Sequence, residues 1–181
     1  KLPLHHNPGE NYTYGFGLDV LGYFIEVVSG MPLDVFLKER LFDPLGMNET
    51  WFHLPEDKAN RLVLLQTKSG KGEWIPCPVR NDDWDYPIKG AKRLVSGGGG
   101  LCSTAKDYAT FLQMYLNGGE LNGLRILSQT TVEYIMTNQI GDLWGENAGW
   151  YYGLVFAGTN QNGQDKWGMM SAGTFSGQGG F

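Results

Sequence analysis

Tyr14 is the residue of this chain whose type and position best suit proton transfer. It follows a Pro8-Gly9 dipeptide, which favours a turn, and it precedes apolar residues that recur every three or four positions, namely Leu18, Leu21, Ile25 and Val28. This spacing predicts a helix, so the pattern places a phenol at a helix entrance, where it can donate or accept a proton. The alternative is a structural tyrosine, in the core or at an interface, whose hydroxyl bonds the backbone.

A Ser-x-x-Lys pattern at Ser103 and Lys106 is a candidate nucleophile and base. On a helix this spacing puts an amine one turn from a hydroxyl, and a desolvated lysine can accept the hydroxyl proton. The alternative makes Ser103 and Thr104 caps of a helix and leaves Lys106 solvated in its first turn. The nucleophile motif Gly-x-Ser-x-Gly does not occur in the sequence.

The consecutive glycines at 97–100 precede the same helix pattern. Backbone N–H groups in such a run can bind an anion, but no Gly-Lys-Ser/Thr follows, so a Walker A phosphate loop is excluded. We expect the run instead to allow a close backbone approach beside a cleft.

The potential metal ligands are scattered. His5 and His6 are adjacent, so they do not easily share one face toward a metal, and His53 stands alone. The acidic stretch 81–85 lacks the glycine and the distal glutamate of a calcium loop. The sequence therefore predicts neither a metal nor a cofactor.

Size and charge limit the remaining function classes. A chain of 181 residues favours one domain of about 150 residues. Its net charge of −5 and the absence of a basic stripe argue against nucleic acid as a partner. No apolar run approaches the roughly 18 residues of a membrane span. The chain has no initiating Met and no signal peptide, so we expect it to begin inside a longer protein.

Cys77 and Cys102 are expected to be partly buried free thiols, with a disulfide as the alternative.

Helix signals dominate the first part of the chain. Gly30 and Pro32 predict the end of the first helix and the start of a second, which Asp43-Pro44 should stop; the apolar residues of this second helix are Leu33, Phe36, Leu37 and Leu41. Residues 51–100 show no clear elements, which is typical of a segment that lines a functional cleft.

Strand signals appear near the end. Thr104–Asp107 predicts the start of a helix that Gly118 and Gly119 end, and Thr130–Glu133 predicts the start of the next helix. Residues 150–156 are aromatic and predict a strand, and residues 171–181 predict a strand edge. Helices followed by strands favour an α+β fold.

Five segments occur in an order that is typical of one enzyme family. They are residues 8–16 (PGENYTYGF), 21–33, 42–52 (FDPLGMNETWF), 97–108 and 152–156. Together they resemble the serine hydrolases related to class C β-lactamases, penicillin-binding proteins and family VIII esterases. The tyrosine after Pro-Gly is the second catalytic motif of that family, and only Tyr14 has its spacing. Phe16 stands where lactamases have asparagine, which is similar to esterase-type members.

The family's third motif is Lys-Thr-Gly in lactamases and His-x-Gly or Trp-Gly-Gly in many esterases. The lead-in at 171–175 (SAGTF) aligns this motif with Gln178, Gly179 and Gly180. The resemblance implies that these residues contact substrate and that the N–H of Phe181 serves the oxyanion hole. A second candidate at 167–169 comes too early for the lead-in. Trp150 is a further candidate for the lining of the substrate cleft, on composition alone.

The resemblance implies the middle part of a β-lactamase/transpeptidase-like domain. Residues 1–181 would be a partial domain, incomplete at both ends: about 1–140 a helical lobe with cleft loops, and about 147–181 strands of an antiparallel sheet. The true Ser-x-x-Lys helix is expected before Lys1, so remaining segments of the same domain are expected partners. In this alignment Lys106 falls at a variable surface position, and the Ser103 pattern is then coincidental.

The implied activity is acyl transfer. A serine outside this chain would attack the carbonyl of an ester, amide or peptide substrate, and Tyr14 would relay the proton to the leaving group. Esterases, D-Ala-D-Ala peptidases and β-lactamases all belong to the family; many are exported, which implies a periplasmic or secreted bacterial protein. Gln178, in place of the usual lysine, histidine or tryptophan, favours the alternative of a non-catalytic ligand-binding or structural module.

Overall fold

Short helices and small antiparallel sheets make up this chain, which confirms the α+β class. The computed structural model describes residues 3–63, 66–76, 88, 92–93, 95–143, 145, 149–154, 156–162, 165 and 175–176. The chain divides into two units. Unit 1 contains Lys1–Gly15 and Leu112–Gly179, and unit 2 contains Phe16–Phe111.

The first predicted helix is present as α1, Gly17–Ser29, in unit 2. It ends where expected, because Gly30 adopts a left-handed conformation (φ 69°) and donates its N–H to Glu26 O. Its apolar side chains are largely exposed, with Leu21 at 49% and Val28 at 69%, and only Gly22 of this helix is buried.

The second helix does not stop at Asp43-Pro44, and that prediction was wrong. Helix α2, Leu33–Leu37, continues into a π-helical turn, Lys38–Phe42, and a short α3, Asp43–Leu45, which Gly46 ends in a left-handed conformation. Pro44 lies in the first turn of α3, where a missing N–H is tolerated, and the N–H of Asp43 before it bonds Lys38 O in the wider turn. Among the described residues no single helix is long and apolar enough to span a membrane, and α1 with α2–α3 passes only as a pair bent by 83°.

The core of unit 2 is formed by α2, the π-helical turn, α3 and the segment after α3. Its buried apolar side chains are Leu33, Phe42, Leu45, Met47, Phe52 and Leu54. The segment predicted to be irregular contains a 3₁₀ helix, Glu56–Arg61, and a hairpin of β1, Gln66–Lys68, with β2, Trp74–Pro76.

Helix α4, Ala105–Leu116, begins as predicted, because Thr104 Oγ1 accepts the N–H of Asp107 at 3.2 Å. Gly118 and Gly119 follow it with positive φ, and a small hairpin, β3 Glu120–Leu121 with β4 Leu124–Arg125, comes next.

Helix α5, Gln129–Met136, begins two residues earlier than Thr130–Glu133 predicts. Ser128 is extended, and its hydroxyl accepts the N–H of Thr131 at 3.0 Å, so Ser128 is the N-cap.

The last part of unit 1 is a three-stranded antiparallel sheet in the order β5-β6-β7. The strands are β5 Trp150–Tyr152, β6 Ala157–Thr159 and β7 Phe175–Ser176. The strand predicted at 150–156 is shorter than expected, because the chain turns at Gly153, whose N–H bonds Phe156 O at 2.8 Å. The predicted strand edge is present at β7, which pairs with β6; the rest of 171–181 lies outside the described residues.

We expect the protein to lose stability at alkaline pH through Tyr115. Its ring meets that of buried Phe156 edge-to-face at 5.0 Å, and burial raises the pKa of Tyr115 above the ordinary 10.0. The unfolded chain therefore loses this proton first, and the free energy of unfolding falls as pH rises from about 10 through the folded pKa. Denaturant unfolding across this range should show a shallower alkaline decline for Tyr115→Phe; an unchanged slope would contradict the prediction.

Candidate active site

The Pro8-Gly9 turn upstream of Tyr14 is confirmed. Glu10 N–H bonds Asn7 O at 3.2 Å, and Gly9 takes a φ of +86° at the third position, as a type II turn requires. The side chains close the turn a second time, because Asn7 Nδ2 donates to Glu10 Oε1 at 2.9 Å. The turn is therefore fixed by its own residues.

His6 ties this turn to the residue before Tyr14. Its Nδ1 lies 3.1 Å from Asn7 O and its Nε2 lies 2.9 Å from Thr13 Oγ1. A carbonyl only accepts, so Nδ1 carries the proton in the neutral ring and Nε2 accepts from the Thr13 hydroxyl. Tyr14 follows directly with a residue exposure of 62%, three positions before α1 begins.

Tyr12 contacts strand β5 through Tyr152. The two ring centroids lie 5.5 Å apart with planes tilted by 36°. The pKa of Tyr12 lies above 10.0, mainly because of burial. The Tyr152 phenol, its hydrogen bond with Tyr12 and, least of all, the Tyr14 phenol raise this pKa further. Tyr12 therefore keeps its proton at neutral pH and is unsuited to act as a base.

Strand β5 carries the candidate Trp150 on the same face as Tyr152, because side chains alternate along a strand. Trp150 is 47% exposed, so part of its indole is open to solvent. Tyr151 points to the other face, where its ring covers Gly158 of β6: a Cβ there would lie 2.2 Å from Tyr151 Cζ.

The third-motif residues Gln178, Gly179, Gly180 and Phe181 lie outside the described residues. What is described of their segment is β7, antiparallel to β6 at Gly158↔Phe175. Their assignment to the substrate site and the oxyanion hole stays a prediction.

Ser103 is part of a structural hydrogen-bond network in unit 2. Its Oγ lies 2.8 Å from Thr50 Oγ1, and Thr50 donates at 2.9 Å to the buried carboxylate of Asp107. The same carboxylate accepts the N–H of Glu49 at 2.8 Å. Ser103 also precedes the N-cap Thr104, so it does not share a helical turn with Lys106, which is exposed.

The glycine run approaches α1 closely, as expected. A Cβ at Gly97 would lie 2.2 Å from Leu18 O, and a Cβ at Gly22 would lie 3.3 Å from Gly97 Cα. Asp19, in the first turn of α1, accepts from Ser96 Oγ at 2.5 Å and from Gly98 N–H at 3.3 Å. This carboxylate therefore fastens the run to the helix.

An open cavity of about 370 Å³ borders α1 in unit 2; its walls include Asp19, Tyr23, Glu26, Asp34, His53 and Arg93. The carboxylates of Asp19 and Glu26 already bond Ser96 and the N–H of Leu33. Within the described part of the chain no three His, Cys, Asp or Glu side chains are grouped to hold a metal. Cys102 is a half-buried free thiol, and Cys77 lies outside the described residues.

Sequence reasoning missed the Tyr12–Tyr152 contact and the Asp107–Thr50 network. The two aromatic residues at alternate positions, 12 and 14, were a signal for the first. No local pattern signals the second, because its partners are far apart in the sequence.

The chain matches the family model described as Beta-lactamase over residues 1–181. It is 33% identical over 141 residues to Protein Rv1367c of Mycobacterium tuberculosis, covering 78% of this chain and 34% of that protein. It is 28% identical over 156 residues to a protein of Escherichia coli named "Putative D-alanyl-D-alanine carboxypeptidase", covering 78% and 35%. This chain thus spans about a third of the length of these curated relatives.

Among solved structures, the chain is similar to "EstCE1, a hydrolase with promiscuous acyltransferase activity", with a TM-score of 0.73 at 22% identity over 88% of this chain and 43% of that one. At this identity the likeness shows the fold, which is that of β-lactamases and transpeptidases. With the family model matching every residue, this chain belongs to the Beta-lactamase family.

Proposed function

We propose that the longer polypeptide carrying residues 1–181, called here the complete protein, is a serine hydrolase that transfers the acyl group of an ester or amide to water. The nucleophilic serine and its lysine lie outside this chain. The chain contributes Tyr14 as the proton-transfer residue, Phe181 N–H as an oxyanion donor, and Gln178, Gly179, Gly180 and Trp150 as substrate contacts.

The observation that carries this proposal is the placement of Tyr14. Tyr14 is 62% exposed as a residue, yet the residues before it are fixed by the Pro8-Gly9 turn and by the His6–Thr13 hydrogen bond. An exposed side chain on a fixed backbone segment is what proton transfer to a bound substrate needs. A tyrosine serving only the core would be buried instead.

Tyr14 has a defined part in each half of the reaction. In the first, the serine hydroxyl adds to the carbonyl, its proton passes to the lysine, and Tyr14 delivers a proton to the leaving group. In the second, a water loses its proton to the Tyr14 phenolate as it attacks the acyl-enzyme, the acid is released, and the lysine returns its proton to the departing serine oxygen. Hydrogen bonds to the oxyanion, Phe181 N–H among them, are worth roughly 3–4 kcal/mol per donor.

The surface of α1 supports the proposal that more of the same domain packs on this chain. Tyr23, Phe24 and Val27 expose 68%, 58% and 63% of their surface on this helix. Contiguous exposed apolar surface of this kind marks an interaction site. The chain covers only about a third of its relatives, so segments of the same polypeptide are the natural occupant.

Covalent labelling tests the position of the nucleophile. A fluorophosphonate should form one adduct on the complete protein, and peptide mass spectrometry should place it on a serine outside 1–181. The 181-residue chain alone should take no adduct and should hydrolyse p-nitrophenyl acetate at the background rate. Ser103→Ala in the complete protein should label normally, since Ser103 serves the Thr50–Asp107 network.

An adduct on Ser103 would show that the nucleophile is misplaced. A complete protein that takes no adduct would favour the second candidate, a non-catalytic module that binds peptide or acyl ligands. That candidate is motivated by Gln178, which stands where a lysine, histidine or tryptophan is usual.

A further inference from the structure

We propose that Tyr12 and Tyr152 are positioning residues, which hold the Tyr14 segment on strand β5 so that the Tyr14 phenol meets the leaving group in one orientation. This inference rests on the proposed function, since it concerns the same proton transfer. We call Tyr12 and Tyr152 the tyrosine pair.

The tyrosine pair joins two distant parts of unit 1. Hydrogen bonds within 6–13 fix the shape of the turn, but they link it only to itself. The contact between the rings of Tyr12 and Tyr152, 5.5 Å between centroids, connects this segment to the sheet. Both side chains are half-buried, so the contact is shielded from solvent on part of its surface.

Tyr152 is a rigid support. Its carbonyl accepts the N–H of Gln139, in the segment after α5, at 2.8 Å. Two residues on, Leu154 N–H bonds Ile135 O, at the end of α5, at 2.9 Å. Between them a Cβ on Gly153 would lie 2.1 Å from Ile135 O, which shows how closely the backbones pack. The backbone that carries the Tyr152 ring is therefore held on both sides.

The tyrosine pair restrains Tyr14 without covering it. Tyr12 is held by its ring and Thr13 by His6, so the two residues before Tyr14 are both anchored while Tyr14 stays 62% exposed. Reaction rates depend steeply on such orientation, and supporting contacts set it. Since Tyr12 keeps its proton, as its raised pKa implies, it does not compete with Tyr14 for proton transfer.

The test compares single hydroxyl deletions in the complete protein, with ethyl acetate as the probe, because its ethoxide leaving group needs a proton. Tyr12→Phe and Tyr152→Phe each keep the ring and should lower kcat by about 3- to 10-fold, the size of one lost hydrogen bond, with KM unchanged. The double variant should be no worse than either single variant, because each substitution removes the same hydrogen bond between the two phenols. Tyr12→Ala, which also removes the ring contact, should lose more.

Tyr134→Phe is the matched control, a 60% exposed tyrosine on α5 in the same unit, and it should retain full activity. Wild-type kcat in Tyr12→Phe and Tyr152→Phe, or additive losses in the double variant, would overturn the inference. Tyr14→Phe is measured in parallel: if it is fully active, the proposed function fails, whereas if it is impaired and the tyrosine-pair variants are not, only the positioning role fails.

Discussion

Tyr14→Phe in the complete protein should lower kcat/KM for ester hydrolysis by at least ~10², the low end for removal of a general acid–base group. Phenylalanine keeps the ring and removes only the hydroxyl that carries the proton. Tyr14 is 62% exposed, so the substitution should leave the free energy of unfolding nearly unchanged. The measurement is a steady-state comparison of both proteins with ethyl acetate, whose ethoxide leaving group needs a proton, together with their denaturant unfolding curves.

Tyr134→Phe again provides the control, because it removes the hydroxyl of a similarly exposed tyrosine in the same unit and should keep wild-type kcat/KM. The rate of fluorophosphonate labelling separates the two halves of the reaction. If Tyr14 acts mainly on the leaving group and on water, turnover should fall more than labelling does. An unchanged kcat/KM in Tyr14→Phe rejects the assigned role, whatever happens to labelling.

Features governed by one or two local residues could be predicted from the sequence. Gly30 ends α1 because a left-handed residue is needed there and glycine adopts it without strain. The Pro8-Gly9 turn follows from the same freedom at Gly9. Thr104 caps α4 because its hydroxyl reaches an N–H three residues on.

Features that depend on competition between local signals were harder to predict. A proline usually ends a helix, but Pro44 lies in the first turn after the π-helical turn, where it need not donate an N–H, so the helical path continues. Ser128 and Thr130 both qualify as caps, and the extended backbone at Ser128 decides between them. The strand at 150–152 ends early because the chain turns at Gly153, whose N–H bonds Phe156 O, close to the Ile135 carbonyl of another element.

The residues of the candidate site also fall into two groups, those that a local sequence motif suggests and those that only the folded structure brings together. Tyr14 was proposed from a motif whose residues are adjacent and Trp150 from the composition of an aromatic segment, and the roles of both stay predictions. The tyrosine pair and the Asp107–Thr50 network needed coordinates, since side chains that are remote in sequence meet only after folding. Asp107 shows why such links matter: its buried carboxylate would be costly without the two donors that segment 49–50 provides.

Gly97→Ala should destabilise the protein by about 1–3 kcal/mol or more, the usual cost of overpacking. The added methyl would lie 2.2 Å from Leu18 O and 3.0 Å from Leu18 C. Both atoms belong to the backbone of α1, so no side-chain rotation relieves the collision, and the run or the helix must shift. Such a shift would also strain the bonds from Asp19 to Ser96 and Gly98. Denaturant unfolding of the complete protein measures the loss as a lower midpoint.

Gly99→Ala is the matched control for this prediction, two positions along the same run. A Cβ at Gly99 meets no atom within 4 Å, and its φ is not in the left-handed region, so alanine should be neutral there or slightly stabilising. A difference between the two variants isolates the close approach from the general effect of replacing a glycine. Equal midpoints would mean that α1 and the run do not touch at Gly97, and the role of the run as a contact surface for α1 would then be lost.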